Sequence, residues 1–244
     1  MLDPAIPARA RAGVDDHLAV GDVDHPVLGD AGLRVAWDVT TAQRPFATSP
    51  ALGDSFPADV FVAPDGGRRY LLGSGNDKLY QFALTTPWDV TSMTPDGGQP
   101  IPFEPLGRAV SLRPDGARVY VGGNDTDAIH QRVLTTPWDV TTMAATDEAV
   151  LSVRPFMPTE AGVADFHLSP DGRTLHVSSR LEGVLQFELS TPWDLATATP
   201  VAGRLLPTWA QGENPRGVRL SDDTVFVMRP EEPTIETYRR APCR

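Results

Sequence analysis

The tetrapeptide Thr-Pro-Trp-Asp occurs at Thr86–Asp89, Thr136–Asp139 and Thr191–Asp194, and a weaker copy stands at Ala36–Asp38. The tryptophans of these copies, Trp37, Trp88, Trp138 and Trp193, recur at a period of about 50 residues. A second landmark, Pro-Asp-Gly, keeps step with them at Pro64, Pro114 and Pro170, and Ser221-Asp222-Asp223 is a degenerate fourth. A fixed period of this length restricts the chain to an array of one supersecondary unit, each copy burying its apolar faces against its neighbours.

Aligning the copies gives three short apolar segments per unit. The first covers Asp59–Ala63, Ala109–Arg113, Asp165–Ser169 and Gly217–Ser221. The second covers Arg69–Gly73, Arg118–Gly122, Thr174–Ser178 and Thr224–Met228, and the third Leu79–Leu84, Ile129–Leu134, Val184–Leu189 and Ile235–Arg240. All are rich in Val, Leu, Phe and Tyr and are bounded by Gly, Asn, Asp or Pro, which reads as β-strands joined by tight turns that need positive φ. A fourth strand is expected at Arg44–Ser49, Gln99–Phe103, Ala149–Arg154 and Val201–Leu206. In the first strand Val60/Val62, Val110/Leu112, Phe166/Leu168 and Val218/Leu220 share a face. The period-2 pattern predicts that this face is packed while the other, with Phe61, Ser111, His167 and Arg219, varies.

Four strands per unit predict an all-β fold, a β-propeller of about four four-stranded blades. The last repeat stops where its Trp motif should stand, and Ala36–Asp38 with Arg44–Ser49 is that missing tail. An N-terminal strand is therefore expected to close the ring, giving a propeller over residues 33–244 and an arm over residues 1–32. Five blades, with Val14–Val35 as a degenerate fifth, is the alternative.

The formal net charge of −11 argues against nucleic-acid binding, which needs clustered positive charge. No run reaches the ~18 apolar residues of a membrane span. Cys243 is the only cysteine, so no disulfide forms within the chain. Nucleophile-elbow, Walker-loop and His-Glu-x-x-His motifs are absent from the sequence.

The Trp-Asp pairs (Trp37-Asp38, Trp88-Asp89, Trp138-Asp139, Trp193-Asp194) could stack ligands, but they follow a buried-type strand in every copy. They read instead as wedges between blades, the aspartate turning the chain. Residues expected to face the central channel are Asp59, Phe61, Ser111, Asp165, His167, Arg216 and Arg219; of these Asp59, Asp165, His167 and Arg219 are the candidate ligand-binding set. The arm's Asp15, Asp16, His17, Asp22, Asp24, His25 and Asp30 place hard oxygen and imidazole ligands close together but match neither an EF-hand loop nor a His-x-x-x-His pattern. No cofactor, metal site or catalytic residue is expected. The Gly75–Asp77 and Gly123–Asp125 loops read as turns.

The runs LTTPWDVTTM (Leu134–Met143), LSPDGRTLHV (Leu168–Val177) and LSTPWDLATAT (Leu189–Thr199) resemble the repeat units of β-propeller proteins of bacteriophages, gene-transfer-agent-like particles and some bacterial surface proteins. The resemblance covers Ala36–Arg240 and implies a non-enzymatic spike, fibre or host-contact component of a phage-like particle. It implies many copies per assembly, particle proteins as partners through residues 1–32, and a cell-surface glycan as the candidate ligand. The resemblance supplies no catalytic residues. Two alternatives stand beside it: a soluble, lactonase-like hydrolase holding a divalent metal on His167, Asp165 and Asp59, and a cytoplasmic scaffold propeller.

Overall fold

The computed structural model describes residues 53–157, 162–179, 183–201, 217–221, 224–229 and 234–239, with side chains as far as Val218. Trp37, Asp38, the expected arm and the expected closing strand lie outside the described residues. So do the choice between four and five blades and the side chain of Arg219.

The strands form successive antiparallel meanders. The first sheet is β1 (Pro57–Val62), β2 (Arg68–Gly73), β3 (Lys78–Leu84) and β4 (Met93–Pro100). The second is β5 (Gly107–Leu112), β6 (Arg118–Gly123), β7 (Ala128–Val133) and β8 (Ala149–Ser152). The third is β9 (Val163–Leu168), β10 (Thr174–Ser179), β11 (Gly183–Leu189) and β12 (Ala198–Pro200). Three strands of a fourth sheet follow, β13 (Gly217–Ser221), β14 (Thr224–Arg229) and β15 (Thr234–Arg239). No α-helix occurs among the described residues. The leading strands neighbour one another in the order β1, β5, β9, β13, so the sheets are stacked about a common inner edge.

The two sequence landmarks keep register because they touch. Gly66, Gly116 and Gly172 of the Pro-Asp-Gly turns have φ of 70°, 71° and 68°. A Cβ on any of them would lie within 2.4 Å of the indole of Trp88, Trp138 or Trp193 respectively. Only glycine both adopts this backbone and admits the ring. Each tryptophan amide donates back to the same glycine's carbonyl at 2.9–3.1 Å. The next residue, Asp89, Asp139 or Asp194, accepts from the amide two residues on at 2.9–3.0 Å and starts a short 3₁₀ turn. Hydrogen bonds from the hydroxyl and then the amide of Thr91 hold the Asp89 carboxyl below its usual range.

The same motif joins the sheets. Tyr70 in β2 donates its hydroxyl to the Trp138 carbonyl at 2.7 Å, and Tyr120 in β6 does the same to Trp193. The carboxamide oxygen of Gln81 accepts from the Val140 amide at 2.9 Å, and that of Gln131 from Leu195 at 2.8 Å. Burial pushes both phenols well above the ordinary tyrosine range, so the hydroxyls remain donors. Around these polar clamps Tyr70, Leu72 and Leu79 pack on Val110, Leu112 and Val140, and Tyr120 and Ile129 on Phe166, Leu168 and Leu195.

Two expectations are corrected. The first face of β1 is not packed like its counterparts: Val60 is exposed, whereas Val110 and Phe166 are buried against the preceding sheet. No described sheet precedes β1. The outer strand β4 begins at Met93, directly after the Trp turn, rather than at Gln99. Its middle residues are exposed and polar, and Gly97 and Gly98 at φ 119° and 158° mark the bulge opposite Tyr80 and Phe82. An edge strand facing solvent carries no apolar alternation to read.

Candidate functional site

The inner edge is built by β1, β5 and β9, and each has a bulge at the same place. Its register slips between Pro57 and Asp59, between Gly107 and Ala109, and between Val163 and Asp165. The extra residues are therefore Ala58, Arg108 and Ala164. A bulge turns one side chain out of the alternating pattern. In β5 that residue carries a guanidinium.

Arg108 is positioned by a chain of contacts through the second sheet. With its amide oxygen facing Arg108, Asn124 accepts from Nε at 3.2 Å and donates to the Val163 carbonyl at 3.2 Å, which ties the residue to the third sheet. Asn124 in turn sits in the β6–β7 loop, and its amide donates to the Leu106 carbonyl at 3.3 Å. Glu104, fully buried, holds the next two residues: its carboxylate accepts from the Asp125 amide at 2.9 Å and from the Thr126 amide at 3.3 Å. The Thr126 hydroxyl also donates to Glu104. The imidazole of His130 bridges the Thr126 hydroxyl at 3.0 Å and Asp147 at 3.2 Å. Arg132 completes the cluster, donating to Asp147 at 2.6 Å and lying 3.6 Å from the centre of the Phe103 ring. These buried charges are paired and hydrogen-bonded with one another, as burial requires.

The residues singled out in the sequence have other roles in this geometry. Asp59 accepts from the Val60 amide at 2.8 Å and, across the sheet boundary, from the Val110 amide at 2.9 Å. Asp165 repeats this with Phe166 at 2.8 Å and Val218 at 2.9 Å. Both carboxylates thus staple one inner strand to the next. His167 lies in β9 opposite His176, partly buried. Arg219 lies in β13 opposite Phe226. Phe61 packs beside Tyr70, with ring centres 6.1 Å apart. No three His, Cys, Asp or Glu side chains are grouped to hold a metal among the described residues, so the set His167, Asp165 and Asp59 does not fit a metal site. Sequence reasoning missed Arg108. The one available signal was Arg216, named as channel-facing, which stands at Arg108's position in the fourth repeat.

No protein-family model and no curated protein matches the chain. Solved structures do. It resembles the periplasmic gluconolactonase of Pseudomonas aeruginosa with a TM-score of 0.56 and 18% identity, over 76% of this chain and 50% of that one. A candidate 6-phosphogluconolactonase from Bacteroides fragilis matches at 0.55 and 20% identity, over 80% and 55%. The Swd1 β-propeller domain from Myceliophteria thermophila matches at 0.50 and 11%, over 74% and 55%. The chain spans about half the length of these structures. At such identities the likeness shows the fold, an all-β, propeller-like stack of sheets. It also corrects the expectation of a non-enzymatic spike or fibre component of a phage-like particle, because solved structures with this fold include proteins described as lactonases.

Proposed function

We propose that this chain is a hydrolase of the lactonase type, acting on sugar-derived lactones at the inner edge of the sheet stack. The observation that carries the reading is Arg108, a guanidinium turned out of the β-alternation by a bulge in an inner strand and oriented by Asn124. The likeness to gluconolactonase structures supports the substrate class.

In lactone hydrolysis, water adds to the ring carbonyl, the ring C–O bond breaks, and a carboxylic acid and an alcohol result. Negative charge grows on the carbonyl oxygen in the addition step, and a fixed guanidinium stabilises charge at that place. Its planar fork also suits the carboxylate product or a phosphate on the substrate. The grip of the buried Glu104 on Thr126 keeps the Asn124 loop in place and so positions Arg108 without reaching the substrate.

Acid release from glucono-δ-lactone and its 6-phosphate, followed by pH-stat, tests the proposal. The protein should accelerate hydrolysis of at least one of them, and Arg108→Ala should lower kcat/KM at least about tenfold while the circular dichroism spectrum stays unchanged. A rate equal to spontaneous hydrolysis for both lactones, or full activity in Arg108→Ala, would overturn it.

A further inference from the structure

The second sheet places an imidazole where its neighbours carry a phenol and an alkyl side chain. By backbone register His130 in β7 occupies the position of Tyr80 in β3 and Leu185 in β11. In the first sheet the Tyr80 hydroxyl donates to Asp54 at 3.3 Å and accepts from Asn76 at 2.7 Å. In the second, Glu104 and Thr126 take the places of Asp54 and Asn76, and the His130 ring spans from Thr126 to Asp147.

Counting donors and acceptors fixes what that ring carries. The single hydrogen of the Thr126 hydroxyl goes to the Glu104 carboxylate, which also accepts from the Asp125 and Thr126 amides. Toward Nε2 of His130, 3.0 Å away, the same hydroxyl oxygen is left only to accept. On the other side of the ring Nδ1 lies 3.2 Å from Asp147. That carboxylate already accepts from Arg132 at 2.6 Å and has no hydrogen to give. Acceptors thus face both nitrogens, and both are satisfied only when each nitrogen carries a hydrogen, the imidazolium form.

Charge balance agrees with this count. Among the described residues the charged groups around the ring are Glu104 at 3.8 Å, Asp147 and, beyond Asp147, Arg132. Two carboxylates and one guanidinium leave one negative charge over, where Glu104 is fully buried and His130 and Arg132 nearly so. A cationic ring cancels it, as paired burial of charge requires.

We propose that His130 is held as an imidazolium and that its second proton latches the Asn124–Asp127 loop, closed at acid pH and released in alkali. While the ring is charged it ties Thr126 to Asp147, and so fastens the loop to the segment that leads into β8. When the ring gives up one proton, one of its nitrogens faces an acceptor without a hydrogen, and that bond is lost. Glu104 keeps its bonds to the two amides, so the loop loosens without unfolding. Asn124 heads the same loop and orients Arg108, so the guanidinium at the inner edge loses part of its support when the latch opens. The latch is independent of any reaction at that edge.

Heteronuclear NMR of the isotope-labelled full chain reads the ring directly, the His130 signals being those missing from His130→Gln. At about pH 6 both ring nitrogens should show the protonated shift. Amide-exchange protection of Asp125 and Thr126, corrected for the intrinsic rate, should fall at least about fivefold from about pH 6 to about pH 8. The fall should shrink below about twofold in His130→Gln, and should begin at lower pH in Asp147→Asn, which removes a negative partner. A neutral ring at about pH 6, with Thr126 donating to it, overturns the proposal on the wild-type protein alone. So does protection that stays constant over this range, or a full fall that persists in His130→Gln.

Discussion

The first and second sheets share a strand order, a Pro-Asp-Gly turn and a Trp motif, yet they differ at the face turned away from the next sheet. The second sheet receives the first: Tyr70 and Gln81 reach across to its Trp turn, and Val110 and Leu112 close the joint. The first sheet has the same receiving residues and no described sheet behind them. They also differ at the loop before the first strand. In the second sheet Thr126 links two buried groups, Glu104 and His130. In the first, Asp54, Asn76 and Tyr80 take the same places at the surface, where Asp54 accepts from the Gly75 and Asn76 amides at 3.1 Å each. Identical topology therefore supports two energetic settings, and the neighbour decides which one applies.

The largest separation should come from the two carboxylates. Glu104→Leu removes a fully buried carboxylate that accepts from the part-buried Asp125 and Thr126 amides and the Thr126 hydroxyl, and should cost about 2 kcal/mol, at about 1–3 kcal/mol for an orphaned group with water reaching part of the loop. Asp54→Leu, at the surface where water replaces the lost partner, should cost under about 1 kcal/mol. Urea unfolding of both variants measures the difference; equal losses would mean that the first sheet's loop is as closed as the second's.

A smaller gap is expected in the valines. Val110→Ala removes buried methyl groups and should cost about 1–2 kcal/mol, whereas Val60→Ala, at an exposed position, should cost less than about 0.5 kcal/mol. Comparable losses in urea unfolding would show that the first sheet's face is covered as the second's is.

The smallest effect concerns acid. Although slight burial pushes the other way, the amides of Phe56, Gly75 and Asn76 and the Tyr80 hydroxyl hold the Asp54 carboxyl below its usual range. A depressed folded value means that the ionised form stabilises the native state above the unfolded value and that this contribution disappears as pH falls through the folded one. Asp54→Asn should therefore unfold at a slightly higher denaturant midpoint relative to wild type at acid pH than at pH 7, the gap narrowing below about pH 4. A constant gap from pH 7 to pH 3 would remove Asp54 from the account of the first sheet.

Strand positions in the first three places of each repeat were legible because both faces or one face are apolar and the turns carry Gly or Asp where φ is positive. Fourth strands were legible only at β8, which begins at Ala149 as expected; β4, exposed and glycine-rich, was not. The candidate site was much less legible. Asp59 and Asp165 look like channel ligands on a one-dimensional pattern, since a carboxylate on an inner strand has no partner in its own sequence neighbourhood. Their partners, the amides of Val110 and Val218, are a whole repeat away. Arg108 is hidden for a different reason. A bulge is a mismatch between two strands, and one strand's sequence does not show where its partner slips.

By itself the sequence determined the repeat, its period, the strand-and-turn grammar within each copy and the pairing of Trp with Pro-Asp-Gly, all of which depend on local backbone preference and side-chain period. Tertiary structure decided which carboxylates are staples, which arginine leaves the alternation and which of several identical faces stays open. These outcomes depend on what lies across a sheet boundary, and a repeated motif is the same on both sides of it.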